Sequence, residues 1–281
     1  MIGYIKLIVF LALSSTAAGA RKTELEDLPN HIKNLRPSVV EIFVNGRRSG
    51  TGFVVGEQGL ILTATHVVGD PAIGDQKQPI VKYKEKIEVA FSDGTRIAAM
   101  PITNPSELSV FHDMSLLRVH RPHAIALKLS TAVPPDGSLV MLMGFPLDLP
   151  QAVTYTGTIA SQYPLKAGTY RDNDVFRNMI QVQAPIARGF SGGQLVDFKT
   201  NKVIGVIDIK IGGINDRLTE IGLGIRNAGG RGGVTISGID TNEVLLNLIG
   251  VLDQFLSVGS GSAVSIEHIS EFVKAQSAEK K

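Results

Sequence analysis

From residue 39 onward, short apolar runs alternate with clusters of Gly, Pro, Asn and Asp. "VVEIFV" (39–44), "TGFVV" (51–55) and "LILTA" (60–64) come first, and "KIEVAF" (86–91) turns at Ser92-Asp93-Gly94 into "RIAAM" (96–100). "MSLLRV" (114–119), "SLVMLMG" (138–144), "AVTYTGTIA" (152–160), "MIQVQ" (179–183) and "KVIGVIDIKI" (202–211) continue the series. Runs of this length, β-branched and bounded by turn formers, predict strands of a barrel or sandwich. No helical period interrupts them before about residue 240, which argues against alternating strands and helices.

The segment 118–137, with Pro122, Pro134 and Pro135, separates one strand group (39–119) from a second (138–211). Two similar β units with a seam between them are therefore expected, and clefts often form at such seams. Beyond them the pattern changes. "GLGIRNAGGRGG" (222–233) is a glycine-rich loop without the spacing of a phosphate-binding turn. "DTNEVLLNLIGVLDQFL" (240–256) has helical period, with Asp240 as N-cap and Leu245, Leu248, Ile249, Leu252 and Leu256 on one face. That stripe is expected to pack on the β units, since wide apolar faces are seldom left open. "SIEHISEFVKAQ" (265–276) predicts a terminal helix.

Composition narrows the chemistry. The chain has 281 residues and a formal charge of +2, too weak a basic field to suggest nucleic acid as a partner. It has no cysteine, so thiol nucleophiles, disulfides and thiolate metal sites are out, and any hydrolytic nucleophile is a hydroxyl, a carboxylate or water. Nothing in the pattern calls for a metal or another cofactor. The first twenty residues carry Lys6, an apolar run from Leu7 to Leu13, and the ending Ala18-Gly19-Ala20. This order predicts a cleaved secretory signal rather than a membrane span, with the mature chain beginning near Arg21. Export without disulfides fits a bacterial periplasm or secreted space, with no membrane span left after cleavage.

The remaining question is "QAPIARGFSGGQL" (183–195), where three glycines surround Ser191. A serine hydroxyl needs a base to take its proton and an acid to hold that base. Of six histidines, His66 alone directly follows an apolar strand, "LILTAT". Asp113 opens a strand that then becomes wholly apolar, so its carboxylate is placed at a strand mouth. The resulting order, His66, Asp113, Ser191, is one of three known for Ser-His-Asp triads. Gly189 leaves its own N–H and that of Ser191 free to face one spot, where they would stabilise an oxyanion by ~3 kcal/mol per donor.

These blocks resemble a known family. "SGTGFVVGEQGLILTATHVV" (49–68), "HDMSLLRV" (112–119), "GFPLDLPQAVTYTGTIAS" (144–161), "APIARGFSGGQL" with "KVIGVIDIKI", and "GSAVSIEHISEFV" (261–273) are similar to the successive blocks of trypsin-like serine proteases of the HtrA/Deg type. The resemblance implies an all-β fold: two six-stranded antiparallel β-barrels of the chymotrypsin type, with a C-terminal helix and a helical insertion. It implies an N-terminal barrel (21–125) carrying His66 and Asp113, and a C-terminal barrel (126–281) carrying Ser191 with an insertion at 212–260. The expected function is exported endopeptidase action on unfolded or damaged polypeptides, with a possible homo-oligomer. Two other functions share the fold: a catalytically impaired peptide-binding or chaperone protein, and an esterase.

The chain also departs from the family. Phe190 stands where zymogen-type trypsins carry an aspartate, so activity is expected without zymogen cleavage. The segment after residue 260 is too short for a PDZ domain, and peptide sensing through such a domain is not carried over. The specificity pocket is assigned to Pro185, Ile186, Ile207 and Asp208. Pro185 in place of an acid and the two isoleucines favour small aliphatic side chains. Asp208 would favour a basic residue if it faced the cleft, but the cost of an unpaired buried carboxylate favours a solvated strand residue instead.

Overall fold

The computed structural model describes residues 27–56, 59–75, 78–102, 106–121, 125–147, 149–208, 221–222, 224–225, 235–236, 239–256 and 261–278. The expected signal peptide, most of the glycine-rich loop and most of the insertion lie outside the described residues. A short helix α1 (Leu28–Leu35) leads into β1 (Val39–Val44) and β2 (Arg47–Gly56). The two strands are joined by Asn45-Gly46 with φ of 51° and 80°, the two-residue turn whose twist suits a hairpin. β3 (Leu60–Ala64), a one-turn helix α2 (Thr65–Val68), β4 (Gly69–Ile73), β5 (Pro79–Tyr83), β6 (Ile87–Ala90), β7 (Arg96–Ala98), β8 (Met100–Ile102), α3 (Ser106–Val110) and β9 (Met114–Arg118) complete the first half.

The first sheet runs β7-β6-β1-β2-β3-β9-β8, seven strands where six were expected. The extra strand comes from a bend. Ala99 still donates its N–H to the Ile87 carbonyl on β6 (2.9 Å), and from Met100 the segment pairs with β9 instead, which separates β7 from β8. One half pairs with β6 and the other with β9, so a single bent segment joins the two edges of the sheet and rounds it into a barrel. β4 and β5 pair separately, outside that barrel.

The second half contains β10 (Leu139–Gly144), β11 (Val153–Tyr170), β12 (Asn173–Gln183), β13 (Gln194–Asp197) and β14 (Lys202–Asp208). After the small pair β15 (Thr235–Ile236) and β16 (Ile239–Asp240) come α4 (Thr241–Leu256), β17 (Gly261–Ser265) and α5 (Glu267–Ala278). β10-β11-β12-β17-β14-β13 form a closed barrel. The β11–β12 hairpin reaches further than its apolar period indicated. Its outer turns, near Lys166 and Asp174, are exposed and held by cross-strand pairing and a Lys166–Asp174 ion pair (2.7 Å), so no alternation marks them.

Two apolar cores result. One spans both halves, from Val39, Phe53 and Leu116 to Met141, Val196, Ile269 and Val273, and so includes the terminal helix α5. The other fills the second barrel around Val140, Leu142, Ile180, Phe190 and Ile207. α4 differs from expectation. Asp240 caps it through the Asn242 N–H (2.8 Å), but Leu245 and Leu248 are 43% and 51% exposed, so this part of the stripe lies open, while Ile249 is half-buried. Only tertiary placement decides whether an amphipathic face meets a neighbour. No helix among the described residues is long and apolar enough to cross a membrane.

Candidate active site

Strand β3 delivers its last residue, Ala64, directly opposite Met114 at the start of β9. That register puts α2 against the residue before β9. The Thr65 N–H donates to the Asp113 carbonyl (2.9 Å), and the His66 N–H donates to Asp113 Oδ1 (3.0 Å). The second carboxylate oxygen, Oδ2, lies 2.5 Å from His66 Nδ1. Asp113 holds this pose with a φ of 54°, a left-handed conformation that Asp tolerates better than most residues. A carboxylate only accepts, so Nδ1 is the protonated nitrogen and the Nε2 lone pair is left for other work. Both side chains are largely buried, which strengthens their attraction.

Ser191 reaches the same place from the second barrel. Its carbonyl accepts the Thr51 N–H from β2 (2.9 Å), and the Gly192 N–H is held by the Ile207 carbonyl on β14 (2.9 Å). Gly192 has a φ of 83°, and a Cβ there would lie 2.2 Å from the Thr51 carbonyl oxygen and from the Thr63 hydroxyl. Only glycine lets the serine loop lie this close to β2 and β3, and hence to α2. Ser191 is 8% exposed. Among the described residues its hydroxyl has no hydrogen-bond partner, and no bond to His66 is formed. Nucleophile–base contacts of this kind often tighten only when substrate arrives.

The loop before the serine is oriented by a carbonyl. The Leu147 N–H donates to Arg188 O (2.9 Å), and in a trans peptide the following N–H, that of Gly189, points the opposite way. Gly189 has a φ of 101°, and a Cβ there would lie 2.2 Å from the Phe145 carbonyl oxygen. Among the described residues, neither the Gly189 N–H nor the Ser191 N–H meets a protein acceptor. Two unspent amides beside a serine form a site for developing negative charge on oxygen.

Two residues that sequence reasoning passed over hold this loop. Thr51 Oγ1 donates to the Gly189 carbonyl (2.6 Å) and accepts the Phe145 N–H (2.8 Å), tying both barrels to one hydroxyl. Its signal was a buried polar residue opening the apolar run "TGFVV". Tyr155 on β11 stacks on Phe190 (centroids 5.3 Å apart, planes 20° apart). Phe190 is 0% exposed in the second core and abuts Gly144, where a Cβ would sit 2.8 Å from its ring. A buried ring thus anchors the loop where zymogen-type trypsins use an ion pair.

The pocket residues behave less uniformly. Pro185 is exposed, while Ile186 and Ile207 are closed into the second core, Ile186 filling the space beside Gly261. Asp208 is a correction: it is not a solvated strand residue but 1% exposed. Its Oδ2 lies 3.2 Å from Arg177 Nη1 on β12, a charged partner that sequence reasoning had not supplied. Nearby, His112 stacks on His268 of α5 (3.9 Å). Burial lowers the pKa of His112 to about 4, helped by the positive charges of His268 and Arg177.

Comparison with known proteins identifies the family and the fold. The sequence profile described as a trypsin-like peptidase domain matches residues 50–206, more than half of the chain. The chain belongs to the trypsin-like peptidase family. Among relatives of this peptidase, "Serine protease HTRA2, mitochondrial" of Drosophila persimilis is 29% identical over 213 residues, covering 71% of this chain and 46% of that protein. "Serine protease HTRA1A" of Danio rerio is 30% identical over 217 residues, covering 69% and 41%. The chain thus spans about half the length of the curated relatives it matches, and those relatives are of the HtrA type. The active form of the Rv3671c protease from M. tuberculosis superposes with a TM-score of 0.57 at 17% identity, over 89% of this chain and 85% of that one. The HtrA-type protease AlgW with tripeptide gives 0.56 at 18% identity, over 90% and 64%. At such identity these two structures establish the fold, two barrels of the chymotrypsin type.

Proposed function

We propose that this trypsin-like peptidase is an exported serine endopeptidase that cuts unfolded or damaged proteins through His66, Asp113 and Ser191. The carrying observation is the double grip of Asp113 on His66, at the backbone N–H and at Nδ1, beside a serine loop with two unspent amides. His66 Nε2 takes the proton of Ser191 Oγ as that oxygen bonds to the scissile carbonyl carbon. The carbonyl oxygen becomes an oxyanion, received by the N–H groups of Gly189 and Ser191. The protonated His66 then returns the proton to the leaving amine, giving an acyl-enzyme that water opens by the reverse sequence. Asp113 fixes the ring tautomer throughout and offsets the imidazolium charge.

Export rests on the charge, apolar run and small residues of the N-terminal segment, and polypeptide substrates rest on the HtrA-named relatives. Mature protein should label with a fluorophosphonate and degrade casein, and Ser191→Ala should abolish both. Hydrolysis retained in that variant would refute the assignment. The second reading, a peptide-binding protein on the same fold, draws on the missing Ser191–His66 bond. Wild-type protein that binds unfolded polypeptide but neither labels nor cuts would establish it.

A further inference from the structure

Asp208 ends strand β14 within the catalytic cluster. One donor atom each from His66, Asp113 and Asp208 lies within 4.8 Å of the other two. The Asp208 carboxylate is paired with Arg177 at 3.2 Å, and its backbone carbonyl accepts the Ser262 hydroxyl (2.8 Å), which sets the strand against β17. The site therefore holds two carboxylates beside one imidazole, with a guanidinium behind the second.

Two carboxylates this close repel, and one of them would take up a proton unless a cation offsets the pair. Arg177 is that cation. With His66 neutral, Asp113, Asp208 and Arg177 together carry one net negative charge. When His66 takes the Ser191 proton the sum becomes zero, so the cluster favours the state reached as the nucleophile attacks. α2 packs against β2, β3, β4 and β9, whose charged groups are Arg47, Arg48, Asp70 and Arg118; His112 and Asp113 stand just before β9, and Asp208 on β14 with Arg177 on β12 completes the set. His112 stacks on His268, which itself lies 3.2 Å from Glu267.

We propose that Asp208 is a positioning residue for catalysis: a second carboxylate, held by Arg177, that steadies the Asp113–His66 pair and supports the imidazolium formed during acylation. The inference rests on the serine-endopeptidase reading, yet its central test does not need activity. In the Ser191→Ala chain, the His66 imidazole is titrated by NMR with Asp208→Asn, with Arg177→Gln, and with both. Asp208→Asn removes a negative neighbour while Arg177 stays, so the His66 pKa should fall by about one unit. Arg177→Gln removes the cation that keeps both carboxylates ionised, so Asp208 takes up a proton and the His66 pKa should fall by about half a unit, less than in Asp208→Asn because a positive charge is lost as well. The double variant should match Arg177→Gln, since in both the second carboxylate is neutral and the cation is gone.

In the active chain the acid limb of kcat/KM should move in the same directions, and Asp208→Asn should lose about tenfold in kcat. A role confined to folding would lower the melting temperature and leave His66 unmoved. An unmoved His66 in both single variants overturns the inference, and should Asp208→Asn not fold, Arg177→Gln alone decides by its downward shift or the lack of one. Wild type that neither labels nor cleaves removes the endopeptidase reading. An active enzyme with an unmoved His66 removes only this inference.

Discussion

Phe190 offers the sharpest test of how the serine loop is held. Its ring is 0% exposed, stacked on Tyr155 at 5.3 Å, and lies between Gly189 and Ser191, the residues whose amides are proposed to receive the oxyanion. Truncating a fully buried Phe to Ala costs ~3–5 kcal/mol through lost burial and the cavity left behind. For a domain of this size each kcal/mol lowers Tm by about 2–4 °C, so Phe190→Ala should melt roughly 10 °C below wild type. Phe190→Leu keeps most of the volume and loses chiefly the ring stack, ~1 kcal/mol. The catalytic effect should exceed what stability implies. Without the ring, Gly189 and Ser191 lose their shared anchor, and fluorophosphonate labelling of the still-folded Ala variant at low temperature should slow at least about tenfold. The Leu variant should label within a few-fold of wild type. Thermal melts and labelling time courses on the same samples decide the matter. A Phe190→Ala chain that melts within about 2 °C of wild type and labels at the same rate would refute the anchoring argument.

Thr51→Val removes the hydroxyl that serves both the Gly189 carbonyl and the Phe145 N–H, stranding two buried backbone groups at about 1–3 kcal/mol each. Labelling should slow with the loss of stability, Thr51→Ser should restore both, and equal behaviour of the two variants would contradict the role. His112 predicts an acid limit. Its pKa of about 4 in the fold lies below its ordinary 6.5, so the unfolded chain binds the proton first. The stability contributed by neutral, buried His112 is present above pH 6.5 and is lost as pH falls toward 4, and His112→Phe should flatten that part of the melting-temperature profile.

Much of the site was legible because each block carries its own local reason. His66 follows an apolar strand, Asp113 precedes one, and Ser191 sits among glycines, so strand ends alone nominate all three. The partners were not legible. Thr51 meets Gly189 across 138 positions of sequence, and Tyr155 meets Phe190 because β11 crosses behind the loop. Asp208 was misread for the same reason: local sequence shows a lone acid in an apolar strand, and Arg177 stands far from it in the chain. The exposed apolar residues of α4 and the long β11–β12 hairpin were misjudged in the opposite direction, since periodicity reports what a segment could bury and not what comes to cover it.

The amino-acid order by itself determined the strand-rich architecture, the order of the candidate side chains His66, Asp113 and Ser191, and the glycines that let the serine loop approach its neighbours. These are properties of turns and of period-two patterns, set within a few residues by sterics. The tertiary structure alone decided that one segment around Ala99 joins the edges of the first sheet, that a buried aromatic ring packs under the serine loop, and that Asp208, paired with Arg177, lies beside His66 and Asp113. Each depends on register between strands distant in sequence, and a buried charge is tolerated only where that register brings its partner.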